Sequence, residues 1–307
     1  MDPTAARSRA QDALDPAVLD RLEGLALVAR TVVEGFMAGH HRSPQRGSSV
    51  EFAQHRQYVR GDELRRVDWK IFARSDRLVV KEFVEETNFS CHLLVDASES
   101  MGFGSLAWNK LDYARWCAAS LAHLVIAQRD AAGLVVFDED VRDRVPPRTG
   151  LHQEAEIVAA LEKERPGAGT GVGRVLAWIA TRLRRRGIVA IFSDFLGDPA
   201  EIIEGAKRLT YGGHEPILFQ VLDPQELELD YDGLLRLDGL EGLGRLTVDP
   251  RAIRAAYKEE VEAHQSALRK AARTLGCDYV PLVTSTPLDV ALSTYLARRA
   301  ARARASG

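Results

Sequence analysis

Two apolar runs in this chain each end on oxygen-bearing side chains. The run CHLLVDASESM sets Asp96, Ser98 and Ser100 at alternate positions, and IVAIFSDF closes on Ser193 and Asp194. Between them in sequence, Thr170 stands between Gly169 and Gly171 in PGAGTGVG, where small neighbours let a loop approach closely. Carboxylate and hydroxyl oxygens are hard ligands that suit magnesium or manganese better than zinc or copper. Asp96, Ser98, Ser100, Thr170 and Asp194 are therefore the expected metal ligands, with Mg2+ or Mn2+ as the ion. The alternate spacing is expected to put successive donors on one side of an extended loop.

Taken singly, each group has a plainer use. Asp and Ser favour turns and helix starts, where they satisfy backbone N–H groups, and Thr170 alone could cap the next helix. Their joint occurrence favours the metal reading. PGAGTGVG follows a helical stretch and lacks the Lys-Ser or Lys-Thr of a phosphate-binding loop, so nucleotide binding is not expected. Asp198 in DPAE is a helix cap. A magnesium-dependent phosphotransfer enzyme with Asp96 as nucleophile is the competing class. Against it, phosphatases of the haloacid-dehalogenase type place a second Asp where this chain has Ser98, and no general acid is evident.

Positioning these groups takes a sheet whose strands end side by side. CHLLVDAS, GLVVF, IVAIFSDF, PILFQVLD and YVPLVT read as buried strands, and RDRVPP pairs with GLVVF as a hairpin across the acidic turn Asp138–Asp140. Helical patterns lie between them, at 110–128, 151–164, 172–186 and 250–275, with further helices opening at DPAEII and TPLD. Buried strands alternating with helices predict an α/β fold: a mainly parallel open sheet with helices on both faces. Functional groups of such sheets gather at strand carboxyl ends, so Asp96 and Asp194 meet there if their strands are neighbours. Residues 231–248 read as an insertion carrying a small hairpin.

Asp96-x-Ser98-x-Ser100, then Thr170, then Asp194 resembles the metal-ion-dependent adhesion site of von Willebrand factor A domains. The resemblance implies a von Willebrand factor A-like sheet with its first and fourth strands adjacent. It also implies that an acidic side chain from a protein partner completes the metal shell. YVRGDELRRVDWKIFARSDRLVVKEF, together with DASESM, is further similar to the bacterial domain-of-unknown-function family number fifty-eight, from about Gly35 onward. Members are often encoded beside MoxR-type ATPases of the AAA+ class, and the resemblance implies such an ATPase as partner. A non-enzymatic, metal-dependent adaptor is the expected function.

Four segments are expected: a flexible start over 1–14, a helix and charged connector over 15–87, the α/β domain over 88–300, and a basic tail over 301–307. The helix at 15–39 carries an apolar stripe of Leu22, Leu25, Ala29, Val32 and Phe36. The charged stretch over 40–77 reads as neither clean helix nor clean strand, and LVVKEFVEE after it reads as a strand. Arg60, Arg65, Arg66, Trp69 and Arg74 of the charged stretch, with Glu99 beside the metal site, are the candidate partner-binding residues.

Composition narrows the classes. A net charge of -3 gives no basic footprint for nucleic acid. Three widely spaced cysteines form neither a zinc site nor a disulfide scaffold, which fits a cytoplasmic protein. No segment approaches the roughly 20 apolar residues of a membrane span, and the amino terminus lacks a signal-type apolar core, so membrane insertion is not expected.

Overall fold

The computed structural model describes residues 25, 29, 52–58, 67–83, 90–167, 169–183, 186–238 and 245–305. The chain divides into two units, residues 43–89 and residues 1–42 with 90–307. Arg60, Arg65 and Arg66 lie outside the described residues, as do most of the helix expected at 15–39 and the start over 1–14.

In the smaller unit, β1 (Phe52–Gln57) pairs antiparallel with β2 (Val79–Phe83), and α1 (Trp69–Ser75) lies between them in sequence. The Asp68 carboxylate accepts the Ile71 N–H at the start of α1. Regular structure thus occurs within the connector. FAQHRQ is too polar to announce a strand, and it forms one by pairing with the more apolar VVKEF. LVVKEFVEE does supply a strand, but its partner is β1 rather than the large sheet.

The larger unit continues with β3 (Ser90–Asp96), α2 (Lys110–Ala127), β4 (Ala131–Phe137), β5 (Val141–Arg148), α3 (Leu151–Lys163) and α4 (Val172–Ala180). Then come β6 (Gly187–Ser193), α5 (Pro199–Tyr211), β7 (Glu215–Leu222), α6 (Pro224–Glu228) and the hairpin β8 (Leu235–Asp238) and β9 (Arg245–Val248). Helix α7 (Pro250–Leu275), strand β10 (Asp278–Val283) and helix α8 (Leu288–Ala305) complete it. Helix α4 stops at Ala180, short of the expected 186, and α8 carries helical backbone through Ala305, where a tail was expected from 301.

Six strands form one sheet in the order β5-β4-β3-β6-β7-β10. All neighbours are parallel except the β4–β5 hairpin. Counted within this sheet, the order is 3-2-1-4-5-6, a doubly wound arrangement that reverses between β3 and β6. The fold is therefore the expected von Willebrand factor A-like α/β, with the strands bearing Asp96 and Asp194 side by side.

Period-two alternation assigns the strand residues to two layers. Cys91, Leu93, Val95, Ala190 and Phe192 pack with α2, α3 and α8; Leu94, Val189 and Ile191 pack with α4, α5 and α7. Leu25 and Ala29, the described members of the amino-terminal stripe, are helical and buried in the first layer. The Leu25 N–H also reaches the Glu162 carboxylate at 2.9 Å.

Candidate functional site

Asp96 is the last residue of β3 and is fully buried. Its Oδ1 accepts the Ser98 N–H at 2.9 Å, which turns the chain away from the strand. Ser98 keeps extended backbone, but Glu99–Gly102 form a 3-10 turn. The alternate spacing is thus extended only as far as Ser98. The turn then brings the Ser100 hydroxyl to 3.2 Å from that of Ser98, and both residues are buried.

Thr170 arrives from the glycine-rich loop. The Gly167 N–H bonds the Ala97 carbonyl at 2.7 Å, and the Gly171 N–H bonds the Asp138 carbonyl at 2.9 Å. Gly171 is needed for that approach because it faces backbone, whereas Gly167 faces side-chain ends that can shift. A Cβ on Gly167 would meet the Asp138 carboxylate at 2.6 Å, and one on Gly171 the Glu139 carbonyl oxygen at 2.4 Å. The Thr170 hydroxyl donates to Asp96 Oδ2 at 3.3 Å.

The last residue of β6 and the one after it have different neighbours. The β3–β6 register pairs Val95 with Phe192, which sets Ser193 opposite Asp96. Accordingly the Ser193 hydroxyl donates to Asp96 Oδ2 at 2.6 Å. Asp194, one position on, meets α2: the Lys110 ammonium donates to its Oδ2 at 2.7 Å, and the Leu196 N–H to its Oδ1 at 3.1 Å. The loop backbone is fixed throughout, because Gln220 bonds the Asp194 carbonyl at 2.9 Å and the Phe195 N–H bonds the Ser193 hydroxyl at 3.0 Å. Phe195 holds a left-handed φ of 55°, and the His264 ring lies 2.8 Å from its carbonyl oxygen.

Lys110 was not singled out from the sequence, yet its side chain is fully buried. It opens α2 behind the Asn109–Asp112 capping box and also donates to Glu226 at 2.5 Å. Glu226 in turn caps α6 by accepting the Asp223 N–H. A signal was present: Lys110, Tyr113, Ala114 and Cys117 recur at helical spacing on one buried face. Ser193 had the signal of register, one residue before the more conspicuous aspartate.

The electrostatics are unbalanced. Burial pushes the Asp96 carboxyl up to about 7, the Asp194 charge adds to that, and hydrogen bonds from Ser193 and Ser98 oppose it. Among the described residues no cationic side chain pairs with Asp96; the nearby ammonium serves Asp194 and Glu226. Burial also raises Glu226, against the pull of Lys110.

The donor set fits a hard cation. Cis oxygens around a magnesium with bonds of about 2.1 Å are about 3 Å apart. The Ser98–Ser100 and Thr170–Asp96 spacings of 3.2 and 3.3 Å lie near that value. Asp96 would supply the charge, Ser98, Ser100 and Thr170 neutral oxygens. The Lys110 ammonium sits on Asp194, whereas Asp96 accepts only neutral donors, so Asp194 acts here chiefly through its charge. Among the described residues no group of three or more His, Cys, Asp or Glu is arranged to hold a metal.

Of the candidate partner-binding residues, Glu99 is exposed beside this cluster. Trp69 and Arg74 belong to the smaller unit, where Trp69 is 55% exposed and meets Phe72 edge-on at 6.0 Å. Among the described residues no helix is long and apolar enough to cross a membrane.

Comparison with known proteins gives three kinds of likeness. Residues 54–267 match the family described as "Protein of unknown function DUF58". The uncharacterized protein Rv1480 of Mycobacterium tuberculosis is 29% identical over 276 residues, covering 88% of this chain and 86% of that protein. Among solved structures, BatB from Bacteroides thetaiotaomicron is 17% identical with a TM-score of 0.46, covering 69% of this chain and 98% of that one. The SpRpn10 VWA domain is 14% identical with a TM-score of 0.39, covering 66% and 93% respectively.

Proposed function

The chain belongs to the DUF58 family, and from that premise we propose that it is a protein-binding adaptor working through a divalent cation at the ends of β3 and β6. Asp96, Ser98, Ser100 and Thr170 hold Mg2+ or Mn2+, and Asp194 adds negative charge beside them. The bound ion supplies an electrophilic centre with positions left for water or an incoming carboxylate. The observation that carries the reading is a buried Asp96 that accepts the Thr170 and Ser193 hydroxyls beside the Ser98–Ser100 hydroxyl pair, with no cationic side chain paired with it among the described residues.

The partner is a protein that presents an acidic side chain, with exposed Glu99 at the rim tuning its approach. A MoxR-type AAA+ ATPase is the proposed partner, with this chain selecting or handing over a client for remodelling or cofactor insertion. Three free cysteines, two of them buried, support a reducing, cytoplasmic setting.

Removing one neutral ligand tests this mildly. In titration calorimetry, Ser98→Ala is expected to weaken Mg2+ binding about tenfold or more, with the ATPase captured by the immobilised wild-type chain only when Mg2+ is present. Unchanged affinity for both ion and ATPase in Ser98→Ala would contradict the proposal.

A further inference from the structure

Lys110 is the strongest feature that the proposed site leaves unused. A fully buried ammonium bonds Asp194 at 2.7 Å and Glu226 at 2.5 Å, and its helix start is fixed by the Asn109–Asp112 capping box. Its own backbone N–H bonds the Phe103 carbonyl at 3.0 Å. The 84 residues separating Lys110 from Asp194 make this a tertiary device rather than a local pair.

We infer that Lys110 is a positioning residue that withholds Asp194 from the cation, so that the site binds metal weakly until a partner carboxylate supplies the missing charge. The inference rests on the adaptor reading above and specifies how that site is regulated. Two carboxylates, Asp194 and Glu226, share one internal ammonium, and neither bond extends to Asp96. With the Lys110 ammonium on Oδ2 and the Leu196 N–H on Oδ1, the Asp194 charge is neutralised by a buried cation, whereas Asp96 accepts only neutral N–H and O–H donors. The ammonium also repels an incoming divalent ion through a water-poor interior. Among the described donors Asp96 is the carboxylate that no ammonium neutralises, and a cation site left with that one charge is short of charge. An acidic side chain from a partner makes good that deficit, so ion and partner bind cooperatively and each raises the affinity of the other.

Glu226 makes the idea separable from net charge. It shares the ammonium with Asp194, and replacing Lys110 and Glu226 together by neutral residues removes one positive and one negative charge. The formal charge of the site is then unchanged while Asp194 is released. Glu226→Gln alone acts in the opposite sense, leaving Lys110 wholly to Asp194.

The test is Mn2+ titration of the full-length chain, read by the paramagnetic signal of free ion and by the Mn2+-induced shift in Tm. Lys110→Met/Glu226→Gln is expected to bind Mn2+ at least about tenfold more tightly than wild type and to show a larger Tm rise with Mn2+. Glu226→Gln, whose side chain is partly exposed and whose loss is milder, is expected to bind several-fold more weakly. Adding millimolar glutarate as a soluble carboxylate tightens Mn2+ binding in wild type more than in the double variant. Equal Mn2+ affinity in wild type and both variants overturns the role of Lys110 while leaving the adaptor site standing. No Mn2+ binding by any of the three overturns the cation site itself, and this inference with it. Should the double variant fail to fold, Glu226→Gln decides: affinity equal to or above wild type overturns the inference.

Discussion

Lys110 is buried as a paired cation, whereas His92, in the same layered fold, is buried as a neutral ring. Burial lowers the His92 pKa to about 4, and the charges of His214 and Arg144 add to the effect. The unfolded chain titrates near the ordinary value of about 6.5, so between those values the unfolded state binds the extra proton. The stabilising contribution of His92 is therefore complete above pH 6.5 and is lost as the pH falls towards 4, by about 3 kcal/mol in all. Asp96 works in the opposite sense, because its raised pKa makes the folded state the better proton binder from about pH 4 to 7. The two contributions mask each other in wild type, and the informative quantity is a difference. Denaturation in chelator from pH 4 to 7 should show stability of His92→Gln rising less with pH than that of wild type. Parallel profiles would place the histidine charge elsewhere.

At the scale of elements, the site depends on how closely the glycine-rich loop lies against the β4–β5 turn. A Cβ on Gly171 would sit 2.4 Å from the Glu139 carbonyl oxygen, and backbone must move to admit it. Gly171→Ala is expected to displace Thr170 and weaken Mn2+ binding several-fold, as Thr170→Ala would, with a stability cost of about 1–3 kcal/mol. Gly197→Ala, where nothing lies within 4 Å, serves as the control and should leave both unchanged. An unaltered ion affinity in Gly171→Ala would mean that Thr170 is not a ligand. Much of this framework was legible in the sequence. Continuous apolar runs mark the strands because both faces of the sheet are covered, and the Asp198–Pro199 and Asp249–Pro250 pairs mark helix starts that the structure retains. Strand β1 was not legible, since FAQHRQ owes its form to pairing rather than to its own pattern. Nor were the partners of Asp96 and Asp194. The Ser193–Asp96 bond depends on register between strands about a hundred residues apart, where a shift of one position exchanges the layer each side chain faces, and Asp194 depends on where α2 packs. Lys110 was readable as a charge on an apolar helix face, but its two acceptors come from β6's end and α6, which helical periodicity cannot reveal.

For the whole molecule, the doubly wound sheet brings the β3 and β6 ends together at its point of reversal. Lys110 enters from one helical layer, and Thr170 reaches Asp96 from the loop that opens α4 in the other. The net charge of -3 leaves recognition to this local arrangement rather than to a long-range field. Adaptor function follows only if an ion is held there by this chain's own oxygens. The most direct measurement is anomalous diffraction from crystals of the intact protein grown with Mn2+ and a soluble carboxylate. The account predicts one strong peak about 2.1–2.3 Å from the hydroxyl oxygens of Ser98 and Ser100, with the carboxylate on the same ion. A map with Mn2+ only at surface carboxylates, and the Ser98–Ser100 pair still joined by its hydrogen bond, would contradict it.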